Sequence, residues 1–234
     1  MTPSIPPFPP VPWSLADAAR GVLLVFSIAL VLIVAGGALT VLLADTPAQG
    51  IPGLVMTLAL EGSLVLSVAV FSVWKYRQPW AVLGFSPGAK GGRLLAVAAF
   101  GGIAGFSFIY SAAVSALGWD ALLPPGLPPS FMHGAAQKLL AFLVTVVAAP
   151  LGEEVFFRGF LLPALAARWG FLLGTLASSA LFAFSHVAPG LLLPAFASGI
   201  LLAWVYRRTG SLWNCILAHG IQNTLAFLAL LAGA

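Results

Sequence analysis

The run Leu151-Gly152-Glu153-Glu154-Val155-Phe156-Phe157-Arg158 sets two carboxylates and a guanidinium inside apolar sequence, in a chain with only 6 acidic residues. A charged side chain at the centre of a bilayer costs about 2.5–3.5 kcal/mol on insertion scales, so such groups pair, line a cavity or serve a function. On a helix, Glu154 and Arg158 share a face, while Glu153 is rotated from them by about 100°. The pair neutralises itself and leaves Glu153 as a free acid or base. Two further apolar segments carry complementary groups: His186, closing Phe182-Ala183-Phe184-Ser185-His186, and the i, i+4 pair His219 and Asn223. Together these supply a base, a proton shuttle and hydrogen-bond donors. A buried ion pair and packing histidines are the bland alternative. The joint occurrence of both histidines with the densest acidic cluster favours a site.

The elements that must position these residues are membrane helices. With 61% hydrophobic and 7% charged residues and a mean hydropathy of +1.07, the chain cannot cover a water-facing surface. Its class is all-α, a polytopic integral membrane helical bundle. A crossing needs roughly 20 apolar residues, and the sequence offers about seven such stretches. They fall near Gly21 to Leu43, Gly53 to Trp74, Leu94 to Leu117, Leu139 to Leu162, Phe171 to Val187, Gly190 to Tyr206 and Leu212 to Leu231. Only Ala188-Pro189 separates the fifth from the sixth, which reads as a tight turn. The three-part organisation expected is a Pro-rich arm over 1–20, three helices with their loops over 21–137, and a catalytic core of four helices over 138–234.

Charge gives an independent check on that count. Arg20, Lys75, Arg77, Lys90, Arg93, Arg168, Arg207 and Arg208 all fall between crossings on one side, against Lys138 alone on the other. By the positive-inside rule this predicts a multi-pass cell-membrane protein with a cytoplasmic N-terminus. The net charge of +4 then reflects topology, and nothing points to nucleic acid. With helical rise, Glu153 and His186 lie about 22 Å and about 27 Å from Arg168, away from the cytoplasmic surface. Substrate is therefore expected from the lipid or the outer face.

The remaining features are mostly structural. Residues Pro3 to Pro12 include six prolines and read as an extended arm. The stretch Asp120 to Ser130, with Pro124, Pro125, Pro128 and Pro129, is the one sizeable outer loop and a candidate rim for an entrance. Cys215 is single and reads as a small packing residue. Gly101 and Gly105 form a small-xxx-small spacing suited to helix packing. Trp74, Trp80, Trp169, Trp204 and Trp213 fit interfacial anchors, as does His133. Glu61, mid-helix in the second crossing, divides evenly between structure and substrate contact.

Glu153-Glu154-x-x-x-Arg158, Phe182-x-x-x-His186 and His219-x-x-x-Asn223, in this order, resemble the three motifs of the CPBP family. These are the ABI, or CAAX-processing and bacteriocin-processing, intramembrane proteases related to type II CAAX prenyl endopeptidases. The flanks Phe157-Arg158-Gly159 and Arg208-Thr209-Gly210-Ser211-Leu212-Trp213 agree, and the resemblance spans roughly Val144 to Phe227. It implies an intramembrane endopeptidase acting on a membrane-associated peptide or protein. Glu153 and His186 would activate water, His219 and Asn223 would stabilise the oxyanion, and Glu154 with Arg158 would support them. Zinc on Glu153, His186 and His219 is the competing arrangement, but there is no His-Glu-x-x-His pair, and the cation of Arg158 disfavours a second one. A metal-free, cofactor-free glutamate mechanism is expected. The family includes prenyl-protein, bacteriocin and sorting-signal processors, and a short, loop-poor chain points away from prenylated substrates. The other classes to weigh are a non-catalytic immunity or scaffold protein that binds a partner helix, and a proton-coupled transporter. Intact motifs oppose the first, and the lack of inverted repeats opposes the second.

Overall fold

A computed structural model describes residues 10–43, 46 and 48–232, so residues 1–9 of the Pro-rich arm lie outside the described residues, and the arm expected over 1–20 gives way to helix at Leu15. The described chain is helical throughout: α1 Leu15–Leu42, α2 Ile51–Val68, α3 Gly92–Ala116, α4 Ala135–Phe142, α5 Ala149–Glu154, α6 Leu162–Ser185, α7 Pro189–Thr209 and α8 Leu212–Ala232. Wider π turns over Leu143–Ala148 and Val155–Leu161 join α4, α5 and the first part of α6 into one continuous rod. Each wide turn comes shortly before a proline, Pro150 or Pro163. A helix-interior proline lacks an N–H and crowds the carbonyl four residues back, and the extra residue in the turn relieves both.

Six helical runs are long and apolar enough to cross a membrane, and one of them, Ala135–Ser185, has 51 residues. At about 1.5 Å per residue that is over twice the roughly 30 Å hydrocarbon core, so it cannot be one crossing. Gly170 resolves the excess. Its φ of 78° and ψ of 166° are open only to glycine and reverse the chain inside α6. Gly174 then lies against Ala166, where a Cβ on the glycine would come within 2.8 Å of the Ala166 nitrogen. In a straight helix those positions are about 12 Å apart. The run is therefore a hairpin of two crossings, which restores the seven expected.

Contacts between the ends of the helices group them as the charge pattern requires. Asp17 of α1 binds Lys75 beyond α2, Ser86 Oγ donates to the Gly210 carbonyl, and Arg207 stacks on Phe171 at 4.0 Å. The basic segments thus share one end of the bundle. At the other end Tyr110 Oη donates to the Leu122 carbonyl, and Leu127, Phe131 and Met132 pack with Leu54, Ala141 and Phe227. The Pro-rich loop is thus folded onto the bundle. Trp74, Trp80, Trp169, Trp204 and Trp213 are all exposed near helix ends, and Cys215 is fully buried.

One expectation is corrected. Among the described residues nothing lies within 4 Å of a Cβ built on Gly101 or Gly105, so their spacing makes no helix contact there. Gly102, one position on, faces Leu201 of α7 instead.

Gly170→Ala should therefore cost about 1–3 kcal/mol through strain at the reversal. Gly101→Ala, in open space on a helix, should be neutral or slightly stabilising. Thermal unfolding of the two variants in the same detergent compares them, and equal midpoints would mean that the hairpin does not depend on Gly170.

Candidate active site

Glu154 is the centre of the site, fully enclosed where α5 runs into its wide turn. Its Oε1 accepts from Arg158 Nη1 at 2.9 Å and lies 2.9 Å from His219 Nδ1 on α8. The two ligating side chains are themselves only 2% and 7% exposed. Since Glu154 already neutralises Arg158, the shared oxygen acts as a carboxylate acceptor, and His219 Nδ1–H donates to it. This orients the imidazole and turns Nε2 outward. Nε2 lies 3.6 Å from Glu153 Oε2, longer than a hydrogen bond but close enough to couple their charges.

Aromatic packing holds the second histidine near this triad. Arg158 lies over the Phe182 ring at 4.4 Å, and Phe182 meets His219 edge-on at 6.0 Å and His186 at 4.8 Å. His186 Nδ1 is 2.8 Å from the Phe182 carbonyl. A carbonyl only accepts, so Nδ1 carries a proton and, in the neutral form of the ring, the lone pair is on Nε2. On α8, Asn223 Nδ2 donates to the Thr145 carbonyl at 2.8 Å. That carbonyl is available because it lies in the wide turn five residues before Pro150. The second N–H of the same amide remains a donor.

The structure thus brings Glu153, Glu154, Arg158 and His219 into one cluster, tied by Phe182 to His186 and by Thr145 to Asn223. Its direct Glu153 contact is with His219, whereas sequence reasoning had paired Glu153 with His186. Thr145 was missed, and the signal for it was Pro150, which implies a free carbonyl about a turn earlier. As zinc ligands Glu153, His186 and His219 fit poorly. Among the described residues no three His, Cys, Asp or Glu side chains converge to hold an ion.

A cavity of about 320 Å³ opens beside the cluster, between α1, α2 and the end of α6. Glu153 lines it together with Glu61, Phe157, Phe184 and the α1 residues Val25 and Phe26. The wall is apolar apart from the carboxyls and Ser185.

Fold and site together define a polytopic helical membrane protein with a buried Glu–Arg–His centre beside an apolar cavity. Residues 135–225 match the family model described as type II CAAX prenyl endopeptidase Rce1-like. Over 89 residues the chain is 33% identical to a Bacillus subtilis (strain 168) protein described as "Putative membrane peptidase YdiL", an alignment covering 38% of this chain and 36% of that protein. The chain therefore spans about a third of the length of the relative it matches. The family match covers the segment that carries the three motifs, and both comparisons support a CPBP-family protease. No solved structure matches.

Breaking the buried pair should be costly, since the partner left behind is an uncompensated charge worth about 3–5 kcal/mol. Arg158→Leu and Glu154→Gln should both lower the yield of folded protein extracted from membranes, while Glu153→Gln should not. Normal yields for both pair variants would remove Glu154–Arg158 from its structural role.

Proposed function

We propose that this protein is an intramembrane endopeptidase that hydrolyses a peptide bond in a membrane-associated peptide or protein without a metal ion. The observation that carries this is the orientation of His219 by the Arg158-bound Glu154, which presents Nε2 beside Glu153 at the edge of an apolar cavity. Peptide hydrolysis needs a base for water, stabilisation of the tetrahedral oxyanion and a proton for the leaving amine. Glu153 is the base, with the lone pair of His186 Nε2 as its partner in activating water. His219, carrying a proton on each nitrogen, donates one to Glu154 and offers the other to the oxyanion. The second Asn223 N–H joins it. Glu154 and Arg158 touch no reacting atom and act by positioning His219.

The donor set supports a metal-independent route. Each imidazole already uses Nδ1 on a protein oxygen, and the three zinc candidates do not converge. The catalytic core is the segment 138–234, with the arm and first three helices shaping access. Substrate arrives from the lipid or the outer face, and the apolar cavity favours a hydrophobic segment over a soluble peptide. Prenylated proteins are not the expected substrates.

Purified protein in proteoliposomes, mixed with solubilised bacterial inner-membrane proteins, should generate new N-termini detectable by amine labelling and mass spectrometry. Glu153→Gln should reduce them by about 10²–10⁴-fold, the usual worth of a general base. Exhaustive chelation should leave them unchanged. Equal products from wild type and Glu153→Gln would refute the assignment, and loss on chelation with recovery on zinc would refute the metal-free route.

The orientation proposed puts the basic end in the cytoplasm. In a Cys215→Ser background, an impermeant thiol reagent applied to intact cells should label Ser130→Cys and spare Arg208→Cys. The opposite pattern would invert the orientation and the side of entry.

A further inference from the structure

Glu61 lies on α2, outside the matched segment and outside all three motifs. It is 6% exposed, and its Oε2 has no hydrogen-bond partner. It lines the same cavity as Glu153, whose own Oε2 is also unpartnered. The two helices meet at Gly152, where a Cβ would come within 2.6 Å of Glu61 Oε2. Any side chain at 152 would displace the Glu61 carboxyl, so α2 delivers that group directly beside the neighbour of Glu153. Among the described residues Glu61 and Glu153 are the only titratable ones that line the cavity. The other ionisable groups packed nearby, Glu154, Arg158 and His219, are bound to one another. The α1 wall contributes Val25, Phe26 and other apolar side chains. Lys138 of α4 is exposed.

We infer that Glu61 is a second catalytic carboxyl, held as the protonated acid opposite the Glu153 base. Two carboxyl groups in one apolar cavity, with His219 beside Glu153 as their one cationic neighbour, hold a single negative charge between them. Glu153, with its weak charge coupling to His219, is the group that keeps it. This deepens the protease reading and rests on it, because that reading leaves the leaving amine without a proton donor.

The proton balance closes within the pair. Glu153 takes a proton from water as the new C–O bond forms at the scissile carbonyl. Glu61 gives its proton to the amine nitrogen as the C–N bond breaks. The proton gained by Glu153 then passes to Glu61, which returns both groups to their starting states.

Two measurements test this. The apolar reagent dicyclohexylcarbodiimide partitions into bilayers and adds to protonated carboxyls. Applied to the wild-type protein in proteoliposomes at neutral pH, it should modify Glu61, seen by peptide mass spectrometry, and Glu61→Gln should abolish that adduct. No substrate is required, so an unmodified Glu61 would overturn the inference while leaving the protease reading intact.

The second measurement is the yield of new N-termini in the inner-membrane assay. Glu61→Gln, nearly isosteric but unable to transfer a proton, should lose about 100-fold or more. Glu61→Asp should recover part of the loss, and pH profiles of wild type and Glu61→Asp should retain an alkaline limb. A Glu61→Gln yield within threefold of wild type would reduce Glu61 to a packing residue against Gly152. If Glu61→Gln fails to fold, the wild-type carbodiimide result alone decides.

Discussion

The Glu154 carboxylate, shared between Arg158 and His219, is the interaction on which the rest of the site depends. A guanidinium that is almost wholly enclosed within a membrane bundle is tolerable only because Glu154 and the Phe182 face surround it. The same carboxylate orients the His219 ring, and Phe182 carries the packing on to His186. Removing this one anion would therefore strand a cation and release an imidazole in a single step. The glutamate beside it needs no such partner, which leaves it open to the cavity.

The wide turns explain how so polar a cluster is assembled from helices. Each proline in the α4–α6 rod frees carbonyls that an unbroken helix would satisfy internally, and lipid offers no water to take them up. At Pro150 a side chain from another element takes one up, as Asn223 donates to the Thr145 carbonyl. Further along, Ser178 adds a bond to the Phe157 carbonyl, which also accepts from Leu162 N–H, and the Trp13 indole donates to Phe160. The backbone irregularity thus ties α8, the second half of α6 and the start of α1 to the helix that carries Glu153 and Glu154.

Much of this was legible in the sequence, for physical reasons that also mark where legibility ends. Apolar stretch length fixed seven crossings, because bilayer thickness converts directly to residue number. The i, i+4 spacing foretold the Glu154–Arg158 pair, since both groups belong to one helix. Relations between helices were less accessible. That His219 rather than His186 contacts Glu153 depends on the angle at which α8 crosses α5, and spacing carries no such information. The Gly101 and Gly105 pattern failed for the same reason, as a small-residue face permits close packing without saying which face is used.

Hydrogen-bond satisfaction separates the structural charges of this protein from the chemical ones. Asp17 is as deeply buried as Glu154, yet its oxygens are fully occupied by Ser14, Arg20, Lys75 and Tyr76. It closes a capping box on α1, and its hydrogen bond holds the Lys75 ammonium above the usual lysine range. Such a group has nothing left to offer a ligand, and its role is to fasten α1 to the end of α2. Glu61, Glu153 and Glu154 each leave Oε2 without a partner. Burying an acceptor unpaired costs about 1–3 kcal/mol, and a fold that needed only to pack its helices would fill those positions with apolar side chains. Among the buried carboxyls that cost falls around the cavity and the triad beside it, whereas the unpartnered groups elsewhere in the described bundle, such as Ser67, Thr175, Ser179 and Asn214, are mainly neutral hydroxyls and amides. The distribution is what a reaction site requires of its scaffold: acceptors kept desolvated and unfilled where a substrate's donors and a reacting water are to be received.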